Sequence, residues 1–205
     1  NIGGRISVNG NETRADIVIW ACGPWIPLLF DLNMNIQVTT QEVIFFESPP
    51  EWDAPNVPAF TDIEEAFYGC GGCEGSFFKL ASDARGKEFN PDKEERKLSN
   101  LQLKMCQEYL SKRFPSLSGA PVIERRLCQY TSTSDSNWIV APVPGLKNQW
   151  IVGAGSGHGF KHGPALGKYV SDLIEDKISP EPKFAINDRP YNSGGWLHLY
   201  NRKHL

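Results

Sequence analysis

The sequence predicts an α/β plus α+β fold: a discontinuous α/β domain interrupted by an antiparallel α+β insertion. Two segments near opposite ends carry the α/β part. Residues 15–20 (ADIVIW) form an apolar run that turns through 21–24 into a short helix pattern, and the strand-like 150–152 opens through the glycine-rich 153–161 (GAGSGHGFK) into another. Between them lie strand patterns separated by turn residues and one long helix pattern, which carry the α+β part.

Taken in order, Ile6 and Val8 alternate with polar residues before Asn9-Gly10, a tight-turn pair. The opening reads as the middle of a hairpin, so the expectation is a chain that starts inside a larger sequence. Residues 15–20 read as a buried parallel strand. A helix over 25–32 follows, with proline near its first turn. Residues 37–47 alternate and are rich in β-branched and aromatic types, giving a long strand, and 48–58, with four prolines, is a loop. Strands at 66–69 and 76–82 flank a Gly71-Gly72 turn. A helix over 90–114 keeps apolar positions Leu98, Leu101, Met105, Tyr109 and Leu110 at helical spacing. Strands at 121–131, 138–140 and 149–152 come next, then a helix from 159 to 176. Residues 179–205 read as a tail with aromatics and no period.

Bulk properties narrow the function. A chain of 205 residues buries roughly 70% of its unfolded surface and needs no metal or disulfide staple. The net charge is −3 with no basic block, which argues against nucleic acid as a partner. No apolar run approaches the length of about 20 residues that a spanning helix needs, so no membrane partner is expected. Five cysteines, an odd number, suit a reducing compartment rather than a disulfide framework, and a cytoplasmic location is expected. The chain ends in 203–205 (KHL), near the peroxisomal Ser-Lys-Leu address but different at its first position, which keeps a peroxisomal location open.

Several constellations carry chemistry, and each has a plain structural alternative. The 153–159 glycines permit a tight strand-to-helix turn with or without a ligand. No Gly-Lys-Ser/Thr closes them, so this is not a Walker loop, and no acidic residue follows at a strand end, so it is not the dinucleotide fingerprint. A helix N-terminus there suits a group that becomes anionic, such as the pyrimidine end of a reduced flavin. Cys128, in a strand pattern between Arg125-Arg126 and Tyr130, is either a buried structural cysteine or a thiolate favoured by adjacent positive charge. Cys70 and Cys73 have metal-half-site spacing, but no second pair follows, so no metal is expected. Lys79 either points outward from a half-buried strand or supplies a fixed positive charge to a low-dielectric site. His158 and Lys161 are either an ordinary first-turn pair or part of the glycine loop's business. Asp135 with Ser134 reads as a plain turn.

Taken together these residues resemble the C-terminal part of the flavin-dependent amine oxidases of the monomeric sarcosine oxidase type (the DAO-type group with N-methyltryptophan, pipecolate and fructosyl-amino-acid oxidases). The resemblance covers roughly residues 1–178. It runs through 15–25 (ADIVIWACGPW), Phe45-Phe46-Glu47, Tyr68-Gly69, Lys79-Leu80, 128–131 (CQYT) and 155–161 (GSGHGFK). The last two, in this order, are its specific part.

The resemblance implies FAD attached covalently through Cys128. Lys79 would lie beside the flavin and promote oxygen reduction by its charge. Gly155, Gly157, His158, Gly159 and Phe160 would border the isoalloxazine. Tyr68 and Tyr130 would line the cavity of a small amine or amino-acid substrate, and Lys161 would pair with the substrate carboxylate. Asp83 stands where sarcosine oxidase has a histidine, which suits an extra hydroxyl or amine on the substrate. The implied domains are flavin-binding parts at 1–31 and 135–178, a substrate-binding domain at 32–134 and a tail at 179–205. The family's opening Gly-x-Gly-x-x-Gly strand–turn–helix is absent, so the flavin domain is expected to be a Rossmann-like one without its N-terminal βαβ. That missing half is an expected partner, and this chain alone is expected to be inactive. The expected reaction is oxidation of a secondary or primary amine to an imine, with oxygen reduced to hydrogen peroxide. A flavin dehydrogenase using another acceptor and a cofactor-free scaffold domain are the other readings.

Overall fold

The computed structural model describes residues 4–73, 77–84, 86–187 and 189. The expected tail from 190 to its KHL ending, and Ser76 of the expected second strand, lie outside the described residues. The chain divides into two compact units. One holds the described residues up to Val38 and from Tyr130 onward, and the other is Thr39–Gln129.

The first unit begins with the hairpin β1 (Gly4–Val8) and β2 (Asn11–Ala15), paired antiparallel. Asn9 and Gly10 join them at φ +52° and +81°, the left-handed pair that a two-residue hairpin turn demands. β3 (Val18–Trp20) then leads into α1 (Ile26–Leu29). The chain returns to this unit with β9 (Ile139–Pro142), β10 (Gln149–Gly153) and α3 (Gly163–Ile174). The sheet order is β3-β10-β9, with β10 parallel to β3 and antiparallel to β9.

Period-two alternation places the two faces of this sheet in different cores. Ile139, Ala141 and Ile151 pack with Ile26, Leu32 and Ile186. Val140 packs with Val170 and Leu173 of α3, where Trp150 and Val152 also lie. Only Val18 of the 15–20 run is buried; Ile17 and Ile19 are exposed. The expected buried strand is therefore a short edge strand. α3 starts at Gly163, not at 159, because Phe160–His162 forms a 3-10 turn first. Phe184 and Ile186 also pack into this unit, so the stretch read as a periodless tail is partly core.

The second unit is built on a five-stranded sheet. β4 (Ile36–Glu47) and β8 (Val122–Thr133) are long strands, and β5 (Phe60–Asp62), β6 (Phe67–Gly71) and β7 (Phe77–Ser82) complete the order β5-β6-β7-β4-β8. β5, β6, β7 and β4 pair antiparallel in succession. One face, with Ile44, Phe46, Phe67, Phe78 and Leu80, packs on Cys106, Tyr109 and Leu110 of α2 (Asn100–Arg113). The Phe67 and Tyr109 rings stack 4.0 Å apart.

α2 is shorter than its pattern suggests. The Asn90 side chain accepts the N–H groups of Asp92 and Lys93, closing a local turn that competes with helix. The helix waits for Ser99, whose hydroxyl caps Gln102 N–H at 3.4 Å. Leu98 and Leu101, expected in the core, are exposed.

Candidate active-site surfaces

The face of the five-stranded sheet opposite α2 gathers the residues that the sequence singled out in this unit. Directly opposed residues share a face. Lys79 opposes Cys70 on β6 and Phe45 on β4, and Ala81 opposes Tyr68. The Lys79 Nζ sits 5.6 Å from the Tyr68 ring centre, a cation held over an aromatic face. On β8, the Arg126 guanidinium lies 4.9 Å from the Phe45 ring. Cys128, two residues on, leaves the strand on the same side as Arg126 and is exposed. Tyr68, Lys79 and Cys128 thus share one face, with Arg126 and Phe45 between. Asp83 follows β7, half-buried, its N–H on the Ala66 carbonyl at 2.7 Å.

The other side of β8 is anchored. Arg125 donates from Nε to Glu42 Oε1 at 2.6 Å and from NH2 to the Ser99 carbonyl at 2.7 Å, while Glu42 Oε2 accepts Ser99 N–H at 2.9 Å. The Glu42 side chain is 1% exposed and that of Arg125 17%. Stripping one partner from a pair buried like this costs about 3–5 kcal/mol. Gln129, with its amide turned to accept, takes Arg96 Nε at 2.9 Å. Arg125 is therefore not one of the charges beside Cys128; that role falls to Arg126, which also binds Glu124 through NH2 at 2.8 Å. Burial pushes the Cys106 thiol up to about 12, so that cysteine is inert packing.

The glycine turn occupies the first unit. Ala154, Ser156 and Gly157 all have positive φ, a concentration of left-handed backbone that folds the chain back on itself. Two hydrogen bonds tie Ser156 to β8: its N–H donates to Thr131 O at 3.0 Å, and its hydroxyl accepts Thr133 N–H at 3.4 Å. His158 Nε2 bonds the Ser136 carbonyl at 2.9 Å. A Cβ on Gly157 would lie 2.4 Å from the Tyr130 ring. The turn and Tyr130 are thus pressed together, and Gly157→Ala combines that clash with φ +81°. The expected cost is about 2 kcal/mol, read as a lowered denaturant midpoint at unchanged slope; an unchanged midpoint would show that the turn relaxes freely.

Among the described residues, no acceptor takes the N–H groups of Gly157 or Gly159. The hydroxyls of Thr131 and Ser136 and the indole N–H of Trp138 are buried without partners. Trp138 Nε1 lies under the turn, 3.8 Å from where a Cβ of Gly155 or Gly159 would stand. Phe160 is fully exposed and Lys161 is exposed beside it. Bare backbone donors, orphaned buried polar atoms and a projecting aromatic ring suit a flat polar heterocycle such as a flavin. Because α3 starts at Gly163, the donors belong to the turn itself rather than to the helix N-terminus.

Sequence reasoning missed Trp138 and Arg189, and read Asp135 only as a turn residue. Burial alone would raise the Asp135 carboxyl, but hydrogen bonds from Asn137 and Thr133, and then the Arg189 charge, hold it below the usual range. The Asp135-x-Asn137 spacing was the available signal for a side-chain-closed turn; nothing in the 179–205 composition marks Arg189.

Comparison with known proteins identifies the family. The family model described as FAD dependent oxidoreductase matches residues 1–173. Monomeric sarcosine oxidase of Streptomyces avermitilis is 28% identical over 191 residues, covering 88% of this chain and 49% of that protein. N-methyl-L-tryptophan oxidase of Salmonella dublin is 23% identical over 183 residues, covering 86% and 48%. The solved structure of fructosyl peptide oxidase from E. terrenum superposes with a TM-score of 0.76 at 22% identity, covering 98% of this chain and 50% of that one. This chain spans about half the length of the curated relatives it matches. With the family model covering most of its residues, the chain belongs to the FAD dependent oxidoreductase family.

Proposed function

We propose that this chain is the substrate-facing and flavin-ring-facing part of an amine oxidase that uses FAD and oxygen. The observation that carries this reading is the shared sheet face: an exposed cysteine beside one arginine, and a lysine held over a tyrosine ring. The similarity to sarcosine and N-methyl-L-tryptophan oxidases supports an N-substituted amino acid as the substrate class. In this reading the unit with the glycine turn is the flavin-binding one, Rossmann-like and lacking its first βαβ, and Thr39–Gln129 binds substrate. The edge strand β3, parallel to β10, preceded by exposed Ile17 and carrying exposed Ile19, supports a sheet that continues into another segment.

FAD, when bound, supplies the two-electron acceptor that oxidises the carbon–nitrogen bond and is reoxidised by oxygen to give hydrogen peroxide. The protein supplies placement and charge. Cys128 would hold the cofactor by its sulfur, Gly157 and Gly159 would offer it backbone donors, and Gly155, His158 and Phe160 would border its edge. Lys161 would pair with the substrate carboxylate, Tyr68 and Asp83 would be the substrate contacts of the Thr39–Gln129 unit, and Tyr130 that of the unit with the glycine turn. Lys79, half-buried over the Tyr68 ring, would place positive charge where oxygen acquires negative charge.

The test is optical. The whole protein should purify yellow, bleach anaerobically with an N-methyl amino acid, and recover colour with peroxide release when air enters. Absence of a flavin band would mark a scaffold domain. Bleaching without recovery in air would mark a dehydrogenase.

A further inference from the structure

The buried Asp135–Arg189 pair has no part in the chemistry above, yet it holds the loop on which the glycine turn rests. Arg189 NH1 donates to Asp135 Oδ1 at 2.8 Å and to the Asn137 carbonyl at 3.3 Å, NH2 donates to the Trp138 carbonyl at 2.8 Å, and Nε donates to the Ala185 carbonyl. The two side chains are 10% and 14% exposed. Asp135 also accepts from Thr133 Oγ1 at 2.9 Å, from Asn137 N–H at 3.1 Å and from its amide at 3.1 Å. One planar guanidinium thus ties residues 135–138 to Ala185, a task that its fork of fixed donors suits and that a lysine does only in part.

The glycine turn is fastened to that loop and its approach strand. Ser156 is tied to Thr131 and Thr133, and His158 to Ser136. Ser136 itself has φ +60°, so its carbonyl direction depends on the clamp that keeps this conformation. A carbonyl can only accept, so the His158 bond requires a proton on Nε2, which in the neutral ring leaves Nδ1 as the acceptor.

We infer that Arg189, acting through Asp135, is a positioning residue that fixes the 133–138 loop and thereby the tautomer and orientation of His158 on the glycine turn. The inference deepens the flavin reading of that turn, but its first readout is independent of any flavin.

Nitrogen-15 NMR of histidine-labelled whole protein should show His158, assigned by its loss in His158→Gln, as the Nε2-protonated tautomer. In Arg189→Ala and Asp135→Asn the signal should move to a mixture of the two tautomers, with Arg189→Lys intermediate, while cooperative thermal unfolding is retained. In flavin-loaded protein, benzoate binding read from the flavin absorption band should weaken roughly tenfold or more in Arg189→Ala. An unchanged His158 signal in folded Arg189→Ala overturns the inference. If that variant does not fold, unchanged tautomers in Asp135→Asn and Arg189→Lys overturn it equally. If the parent protein binds no flavin, the proposed function fails, and the tautomer readout still decides the role of Arg189.

Discussion

Cys128→Ser in the whole protein should precipitate colourless in acid and leave its flavin in the supernatant, whereas the parent should precipitate yellow. The expected effect on covalent flavin is complete loss, because a hydroxyl is a far weaker nucleophile than a thiol. The structure makes Cys128 the favoured thiol on physical grounds. It is exposed, it shares its side of β8 with Arg126, and the opposite side of that strand is fixed through Arg125 and Gln129. Cys106 is excluded by burial. A rival on the same sheet face is Cys70, half-buried and directly opposite Lys79. The experiment separates them: colour that stays with precipitated Cys128→Ser and leaves with Cys70→Ser would transfer the attachment point to β6. Non-covalent binding should survive in Cys128→Ser, since the glycine turn is untouched, so the soluble variant should still show a flavin band before acid is added.

Much of this surface could be read from the sequence because its signals are local. Asn9-Gly10 needs two left-handed residues and takes them. The strand before the glycine turn is apolar because both faces of β10 lie in cores. What escaped depends on partners far along the chain. Arg125 and Arg126 look equivalent as neighbours of Cys128, but alternation sends one to Glu42 and the other to Phe45, and only the register of β4 against β8 decides this. The start of α2 moved by ten residues because Asn90 had a competing local bond and Ser99 a better cap, while Leu98 and Leu101 kept helical spacing without a surface to bury against. Arg189 was invisible because a buried arginine has no periodicity; its meaning comes entirely from Asp135 and three carbonyls.

Lys79→Met should slow reoxidation of the reduced protein by oxygen by about two orders of magnitude while leaving reduction by substrate within a few-fold. The asymmetry follows from where charge appears. Oxygen enters neutral and becomes an anion as it takes its first electron, so a fixed cation nearby stabilises the product of that step and not the reactant. At an effective dielectric near 20, a unit charge about 5 Å away is worth roughly 3 kcal/mol, which corresponds to about two decades in rate. Lys79 is suited to this because its surroundings do not neutralise it in kind: across the strands it meets a phenol ring, a thiol and a phenyl ring. Substrate oxidation passes its electron pair to the flavin, where negative charge spreads over a large ring instead of concentrating on two oxygen atoms, so the same cation has less leverage there. Methionine keeps the side chain's length and apolar packing, and Lys79→Arg restores the charge, so charge and shape are separable. Stopped-flow traces of the two half-reactions decide the matter: a Met variant slowed equally in both, or an Arg variant no faster than Met in reoxidation, would assign Lys79 to packing and move the oxygen-reactive charge elsewhere on the protein.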